Sequence, residues 1–396
     1  LTFLLSFSLL AQQKPKNVIL FIGDGFGIAP KTAARMAMGQ GQPDKRYFTD
    51  PQFQVLSLDK LRYTGMATTH SLNSWTTDSA PGATVYSAGK KIDNEMIAFD
   101  PETNLPLETI LEAAKKQGYA VGLVTTTRIT HATPAAFGSH IWHRDLEDYI
   151  AAQLISSTQK EYEEIFNSSP VDSLKYNAQR DWVLPTPKVG VQIDVLLGGG
   201  AKQFLPNGYV EPVATTDAGQ KIVLKGGRQD KVNLIELAKK RGYAFVNSRE
   251  QLLNIDLSQF TPGSNKKLLG LFQASHNSYE QDRQLTNNWE PSLSDMTKIA
   301  IEILKRKGGN KGFFLMVEGG RIDHLGHANA GAISRSCKME IDSVAFPPDG
   351  GDRRLKNTAQ GNIYGSDYLI KEVLSFDYAV TEGRKLLKDA SSETLI

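Results

Sequence analysis

The sequence contains one cysteine, Cys337, among its 396 residues, so the chain cannot form an intrachain disulfide. A single cysteine neither requires a reducing compartment nor excludes export. The formal net charge is only +2, and no run of lysine and arginine stands out. We therefore do not expect nucleic acid to be a binding partner.

Long apolar runs are absent except at the amino terminus. The stretch LTFLLSFSLLAQQ, residues 1–13, is mainly apolar at first and then polar. It is shorter than the about 20 residues that span a bilayer, and it is typical of the central part of a signal peptide. We expect residues 1–13 to be a residual signal peptide, although a buried first strand is the alternative. We also expect an exported protein, periplasmic or extracellular, without a transmembrane segment.

The rest of the chain alternates predicted strands and helices. Residues 18–22 form an unbroken apolar run that ends at a Gly-Asp-Gly turn, and further strands are predicted at 119–127 and 191–197. Such alternation predicts a three-layer α/β/α sandwich with a mostly parallel central sheet, formed by residues 14–396 as one domain. Ligands of such sheets bind beyond the carboxyl ends of the strands.

The last third of the sequence departs from this regular pattern. Residues 332–366 show weak periodicity, Pro-Pro and Gly-Gly pairs and clustered charge, which predicts a long loop or an insertion. Residues 367–389 have apolar side chains at helical spacing. Leu395 and Ile396 are interpreted as the first residues of another strand.

The segment TTDSAPGATVYSAGK, residues 76–90, holds a candidate nucleophile. Pro81 suits a first helical turn, which would place Ser79, directly after Asp78, at the amino end of a helix. Free N–H groups and the helix dipole attract anions there. The alternative is that Ser79 is an ordinary N-cap.

Two other segments carry polar residues near predicted strand ends. Asp24 lies between two glycines after the first strand, either in an ordinary turn or as a carboxylate presented to a metal. His131, Thr133 and Arg144 follow the strand at 119–127. The planar guanidinium of an arginine matches phosphate or carboxylate, but each of these residues taken alone is also compatible with a structural role.

The segment VEGGRIDHLGHAN, residues 317–329, combines four potential metal ligands. If the chain becomes helical after Gly320, Asp323 and His327 share one face and can chelate one ion. Glu318, at the strand end, could serve a neighbouring ion. Carboxylate with imidazole suits zinc, and carboxylate with a threonine hydroxyl suits magnesium. The alternative is a surface loop with capping acids.

Taken together, five motifs in order resemble the alkaline phosphatase family. They are NVILFIGDGFG, TDSAPGATVYSAGK, THATPAAFGSH, LLGGGAKQFLP and MVEGGRIDHLGHAN, which cover roughly residues 16–330, with a weaker match at 367–388. The resemblance implies hydrolysis of phosphate monoesters through a phosphoserine intermediate at a site with two zinc ions and one magnesium ion. It also implies a possible homodimer.

The resemblance assigns the phosphoryl-transfer roles residue by residue. Ser79 matches the nucleophile, which also contacts a zinc ion, and Arg144 matches the arginine that holds the phosphate. Asp24 matches the aspartate that bridges a zinc and the magnesium. Asp78 lies beside the nucleophile as a supporting residue.

The remaining assignments concern the metals. Thr133 and Glu318 match magnesium ligands, and Asp323 and His327 match two ligands of the other zinc. His131 would act near the magnesium through water. His324 fills a position that tunes the site without binding a metal.

The sequence also departs from the family pattern. The family's later Asp-His motif and a further histidine have no counterpart among the seven histidines of this chain, so we expect its carboxyl-terminal part to be missing. The alternative is a non-catalytic or degenerate member that binds zinc or phosphate. Ala83 occupies the place where an arylsulfatase needs arginine, which argues against sulfate esters.

Overall fold

The computed structural model describes residues 15–39, 55–167, 191–215, 221–286, 289–328, 355–357, 361–363, 366–387 and 394–395. The strands in these ranges are β1 (Asn17–Gly23), β2 (Ala120–Arg128), β3 (Val195–Gly199), β4 (Val210–Thr215), β5 (Lys221–Lys225), β6 (Tyr243–Val246), β7 (Lys267–Leu271), β8 (Phe313–Gly319), β9 (Leu355–Asn357), β10 (Gly361–Ile363) and β11 (Thr394–Leu395).

Seven of these strands form one sheet in the order β11-β1-β8-β2-β3-β7-β6. Every neighbouring pair in it is parallel. The predicted mostly parallel α/β sheet is therefore confirmed. The strand predicted at the end of the chain is also present, since β11 pairs with β1 at the sheet edge.

The helices of the described ranges are α1 (Ile28–Gly39), α2 (Ser79–Ala88), α3 (Ile110–Lys116), α4 (Ala132–Gly138), α5 (Glu147–Leu154), α6 (Gln159–Asn167), α7 (Leu234–Lys240), α8 (Arg249–Leu253), α9 (Glu280–Thr286), α10 (Leu293–Gly308), α11 (Arg321–His327) and α12 (Ser366–Leu386). None of them combines the length and apolar character needed to cross a membrane.

Alternate residues of the central strands pack into two separate apolar cores. In β8, Phe314 and Met316 join a core that includes residues of α2, α4 and α5. Phe313, Leu315 and Val317 join another core, with residues of α10 and α12. Because successive strand side chains point to opposite faces, helices cover both faces of the sheet, as a three-layer sandwich requires.

Two short hairpins lie outside the main sheet. Strands β4 and β5 pair in an antiparallel hairpin that the sequence patterns did not predict. Strands β9 and β10 also pair antiparallel, within the segment 332–366 that was predicted as a loop or insertion. The other described residue of that segment is Ser366, the first residue of α12. The predicted residual signal peptide, residues 1–13, lies outside the described residues.

The register of the central strands brings the candidate residues to one edge. Glu318 of β8 is level with Ile22 of β1 on one side and with Thr125 of β2 on the other. Asp24 follows β1 directly. The carboxyl ends of three adjacent strands therefore meet at the place where a doubly wound sheet binds its ligands.

Candidate active site

Ser79 is the first residue of α2, and Asp78 is the N-cap of this helix. Asp78 has an extended backbone, and its side chain accepts a hydrogen bond from the Ala80 N–H at 2.7 Å. The alternative that Ser79 is the N-cap is therefore wrong. Because Asp78 caps the helix, the Ser79 hydroxyl is free to donate to Asp24, with Oγ at 2.9 Å from Oδ2 and 3.2 Å from Oδ1.

The turn that carries Asp24 is packed closely against the segment that carries Asp323. Gly25 has a φ of +63°, which favours glycine, and a Cβ atom at this position would lie 2.7 Å from Asp323 Oδ1. A side chain at residue 25 would collide with Asp323. Gly25 thus fits both the turn and the close packing of this turn against Asp323.

Arg144 is held from two sides at the same edge. Its Nη1 donates to Asp78 Oδ1 at 3.0 Å, and its Nη2 donates to His131 Nε2 at 3.1 Å. The Arg144 and Asp78 side chains are both largely buried. Asp78 therefore connects the helix that presents Ser79 with the guanidinium group that faces the same cleft.

Glu318 is fully buried at the end of β8 and is surrounded by hydroxyl groups. Its Oε2 accepts hydrogen bonds from Thr125 Oγ1 and, at 3.1 Å, from Thr127 Oγ1. Its Oε1 is buried without a hydrogen-bond partner in the structure. Thr133, from the first turn of α4, is close enough to lower the pKa of Glu318, although burial outweighs this and raises it.

The three carboxyl groups at this edge repel one another. Burial, followed by the charges of Glu318 and Asp323, raises the pKa of Asp24 to about 7, while Ser79 and Arg144 oppose this rise. A cluster of buried carboxylates is unfavourable unless a cation neutralises it. The unpartnered Glu318 oxygen and the raised pKa of Asp24 are the two features that such a cation would relieve.

The predicted helix after Gly320 is present as α11, and it separates the two histidines of the motif. His327 Nε2 lies 3.2 Å from Asp323 Oδ2, so these two residues converge on one face of the helix. His324 faces away, and its Nδ1 accepts a hydrogen bond from Arg321 Nη1 at 2.7 Å. The spacing argument for Asp323 and His327 therefore agrees with the structure.

A third histidine, which the sequence patterns did not single out, lies next to His131 and His324. One ring nitrogen each of His131, His276 and His324 lies within 4.8 Å of the others. Burial and the neighbouring arginines lower the pKa of all three imidazoles. His276 follows β7, so its position beyond a strand end was the one signal available in the sequence.

The surroundings of these histidines differ from those of a metal site. Arg144 donates to His131, Arg321 donates to His324, and Arg128 lies against both ring nitrogens of His276 at 3.2 and 2.5 Å. Metal-binding histidines need an acceptor for the N–H that faces away from the ion. Because arginine can only donate, we interpret the three imidazoles as a hydrogen-bonded cluster beside the cleft, of which His131 and His324 reach the cleft wall.

Most of the candidate residues line one cleft of about 800 Å³. Its wall contains Asp24, Asp78, Ser79, His131, Thr133, Arg144, Asp323, His324 and His327. Glu318 lies beneath it. The cleft also contains the side chain of Tyr86, which is about half exposed. The geometry thus brings together a serine hydroxyl, a guanidinium group and two clusters of potential metal ligands.

Comparison with known proteins identifies the family to which the chain belongs. The family model described as "Alkaline phosphatase" matches residues 15–344. The repressible alkaline phosphatase of Saccharomyces cerevisiae is 36% identical over 325 residues, which cover 81% of this chain and 49% of the yeast protein. The chain belongs to the alkaline phosphatase family. The human tissue-nonspecific isozyme is 33% identical over 341 residues, or 83% of this chain and 58% of that protein.

Solved structures of alkaline phosphatases share the fold. The Thermus thermophilus enzyme superposes with a TM-score of 0.64 at 26% identity, covering 100% of this chain and 62% of that enzyme. The enzyme from the Antarctic bacterium TAB5 gives a TM-score of 0.61 at 23% identity, covering 96% and 77%. This chain spans about half to three fifths of the length of the yeast and human relatives.

Proposed function

We propose that this chain carries the core of a phosphomonoesterase site, in which Ser79 is the nucleophile and Arg144 binds the phosphoryl group. The observation that supports this most directly is the contact between Ser79 Oγ and the Asp24 carboxylate, in a cleft that Arg144 also faces. The alkaline phosphatase relatives support the same reaction class.

In the proposed first step, Ser79 Oγ attacks the phosphorus atom in line with the leaving alcohol. The Ser79 hydroxyl already points at Asp24 Oδ2, so its proton has an acceptor at 2.9 Å. The bond from phosphorus to the leaving oxygen breaks as the bond to Ser79 forms, which gives a phosphoserine and an alkoxide that takes a proton from water to leave as the alcohol. Water then cleaves the phosphoserine and releases inorganic phosphate.

Arg144 is placed to bind the oxygens that carry the negative charge during both steps. Its two terminal nitrogens are anchored to Asp78 and His131, which limits its rotation before the substrate arrives. A fixed donor of this kind stabilises developing charge better than one that must reorient. Because Arg144 recognises only the phosphoryl group, we expect broad tolerance for the alcohol part of the substrate.

The residues also fit divalent cations, and we propose two zinc ions and one magnesium ion. Asp24, Thr133 and Glu318 would hold magnesium, since all of them offer oxygen ligands. Asp323 and His327 would hold one zinc, and Asp24 with Ser79 would contribute to the other. When bound, such ions supply Lewis-acid stabilisation of the attacking and leaving oxygens. His131 and His324 would support this site through their hydrogen bonds with Arg144 and Arg321.

Three further points stay predictions. Phosphate monoesters are the proposed substrates, an exported location remains our expectation, and a homodimer is the assembly that the family resemblance suggests. Exposed apolar side chains such as Trp75 and Met66, which are 92% and 103% exposed, are compatible with a protein contact. A protein that binds zinc or phosphate without turnover is the alternative, which the following experiment distinguishes.

The test is the hydrolysis of p-nitrophenyl phosphate at alkaline pH by the protein expressed from its complete reading frame. We expect turnover that is lost with a chelator and restored by zinc and magnesium together. We also expect Ser79→Ala to abolish turnover while Ser74→Ala, a change outside the cleft lining, retains it. Chelator-insensitive turnover, or normal turnover in Ser79→Ala, would exclude the proposal. Metal binding without turnover would favour the non-catalytic alternative.

A further inference from the structure

A second cluster of charged residues lies at the other end of the sheet. It is formed by Lys115 near the end of α3, Asp194 just before β3, Lys267 at the start of β7 and Lys307 near the end of α10. These positions are at the amino ends of the strands, whereas the candidate active site is at their carboxyl ends. A nine-residue strand such as β2 separates the two places by roughly 25 Å.

Asp194 is the centre of this cluster. Its Oδ2 lies 2.6 Å from Lys115 Nζ and accepts the Val121 N–H at 2.9 Å, and its Oδ1 lies 3.5 Å from Lys307 Nζ. The Asp194 side chain is only 4% exposed. The carboxylate is therefore fixed by the backbone of β2 and is shared between two ammonium groups.

Lys267 is buried near Asp194 and Lys307. Its ammonium group donates to Asn265 Oδ1 at 2.7 Å and to the Asn265 carbonyl at 2.9 Å, and it lies over the Tyr243 ring. Burial, followed by the charge of Lys307, lowers the pKa of Lys267 to about 8. Glu161 also acts on Lys267, but its carboxylate accepts hydrogen bonds from Ser157.

This cluster holds three ammonium groups and one carboxylate, that of Asp194, which contacts Lys115 and Lys307. Lys307 Nζ makes its shortest hydrogen bonds to the carbonyl oxygens of Lys266 and Ser264, at 2.7 and 2.9 Å. Lys115 donates to Asp194 at the rim, where its side chain is 27% exposed. This cluster therefore carries more positive than negative charge, and repulsion among its buried cations is unfavourable.

A cavity of about 190 Å³ opens between these side chains. Its wall is formed by the three lysines and Asp194, together with Gln192, Ser264, Asn265, Gly118, Tyr119, Ala120 and Gly263. The lining offers ammonium, amide and hydroxyl groups, which are hydrogen-bond donors. The size suits a small ion with its hydration water rather than a large organic ligand.

We propose that the cavity between Lys115, Lys267, Lys307 and Asp194 binds a small tetrahedral oxyanion, phosphate or sulfate. The anion would offset the excess positive charge and accept hydrogen bonds from Lys115 at the cavity rim. Charge-assisted hydrogen bonds of this kind are the stronger ones in proteins. The proposal is independent of the reaction proposed for the Ser79 site, because none of these residues lines that cleft.

The first test locates the anion directly. Selenate is a tetrahedral oxyanion with strong anomalous scattering, so crystals of the full chain soaked in selenate should show a peak between Lys115 and Lys307. The same peak should be absent in Lys115→Ala. A selenate peak confined to the cleft around Arg144, or a peak that persists unchanged in Lys115→Ala, would overturn the proposal.

The second test measures affinity in solution by calorimetry with sulfate and, separately, with phosphate. We expect Lys115→Ala to weaken binding at this site by about tenfold or more. Lys116→Ala is the matched control, because Lys116 is the next residue of α3 and pairs with Glu108 at the surface. Lys116→Ala should leave the affinity unchanged.

Two more variants keep the outcome interpretable. Lys115→Arg retains the charge and should bind sulfate within about threefold of the wild type, which also guards against a folding defect in Lys115→Ala. Arg144→Ala removes a guanidinium group of the Ser79 cleft. If Arg144→Ala abolishes sulfate binding and Lys115→Ala leaves it unchanged, the anion binds in the cleft around Arg144 and the proposal is wrong. Equal binding of phosphate and sulfate would indicate recognition by charge and shape.

Discussion

The Asp78 carboxylate accepts a hydrogen bond from Arg144 Nη1 at 3.0 Å while it caps the helix that begins at Ser79. One side chain thereby fixes the helix end that presents the proposed nucleophile and the arginine that faces the same cleft. The two tasks depend on different properties of Asp78. Capping requires a hydrogen-bond acceptor, whereas the ion pair with Arg144 requires a negative charge.

Substitutions of Asp78 should separate these two tasks. Asp78→Asn keeps a good N-cap and loses the charge, so we expect nearly unchanged stability with a higher KM for p-nitrophenyl phosphate. Asp78→Ala loses both, and its free energy of unfolding should fall by about 1 kcal/mol in addition. Urea unfolding and steady-state kinetics measure the two effects. Equal loss of stability in both variants would contradict the assignment of Asp78 as the cap.

Arg144 should affect phosphate recognition far more than stability. We expect Arg144→Ala to lower kcat/KM by about 10²–10³-fold, the range typical of a removed donor to developing charge. Arg144→Lys should recover only part of this loss, because lysine cannot make the planar bidentate contact. Arg62→Ala, a change at an exposed arginine, serves as the control. Inhibition by inorganic phosphate should weaken in parallel with kcat/KM.

Changes at Glu318 and His327 should distinguish the two kinds of metal ligand. His327 is 81% exposed, so His327→Ala should reduce bound zinc without a measurable effect on the unfolding of the metal-free protein. Glu318→Gln should reduce bound magnesium, because it removes a charged oxygen ligand beneath the cleft. Metal content can be measured by mass spectrometry after dialysis. His143→Ala, outside the cleft lining, is the control, and an unchanged zinc content in His327→Ala would count against the proposed ligand.

Glu372 should make the protein less stable as the pH rises. Burial raises the pKa of Glu372 to about 8 from its ordinary value of 4.5, so the folded state holds a proton that the unfolded state releases. The resulting stability is present below about pH 4.5 and is lost as the pH rises through about 8. Its size is on the order of 5 kcal/mol for a shift of this extent, at about 1.4 kcal/mol per pKa unit.

The variant that tests this is Glu372→Gln, which retains an acceptor for the Glu280 N–H at 2.5 Å. We expect the variant to become more stable relative to the wild type as the pH rises from about 5 to about 9. Urea unfolding at these two pH values measures the difference in the free energy of unfolding. Glu382→Gln, on the same helix but partly exposed, should follow the wild type. A pH-independent difference between Glu372→Gln and the wild type would show that Glu372 does not titrate in this range.

The sequence patterns predicted the layers of the fold because apolar runs, glycine turns and helical periodicity are local signals. They also predicted that Asp323 and His327 share a helix face, since that spacing is local too. The position of His276 against His131 was not predictable, because it depends on how β7 pairs with β3. The β4–β5 hairpin was missed because it lies outside the alternating α/β pattern.

The N-cap of the helix that carries Ser79, which the sequence analysis considered only at Ser79, shows another limit. Both residues are good caps, so the sequence alone leaves the start of the helix open by one residue. The structure resolves it through contacts over long distances in the chain. Asp24 accepts a hydrogen bond from the Ser79 hydroxyl, and Asp78 accepts one from Arg144.

The alignment of Glu318 with Ile22 and Thr125 has a consequence for how this site can change. Strand pairing shifts only in whole residues, and a shift of one residue would turn Glu318 to the opposite face of the sheet. The pairing of Glu318 with Thr125 therefore cannot be moved along the strands in small steps. We expect substitutions in the loops around the cleft to be tolerated, whereas a change in the register of β8 would remove Glu318 from the site.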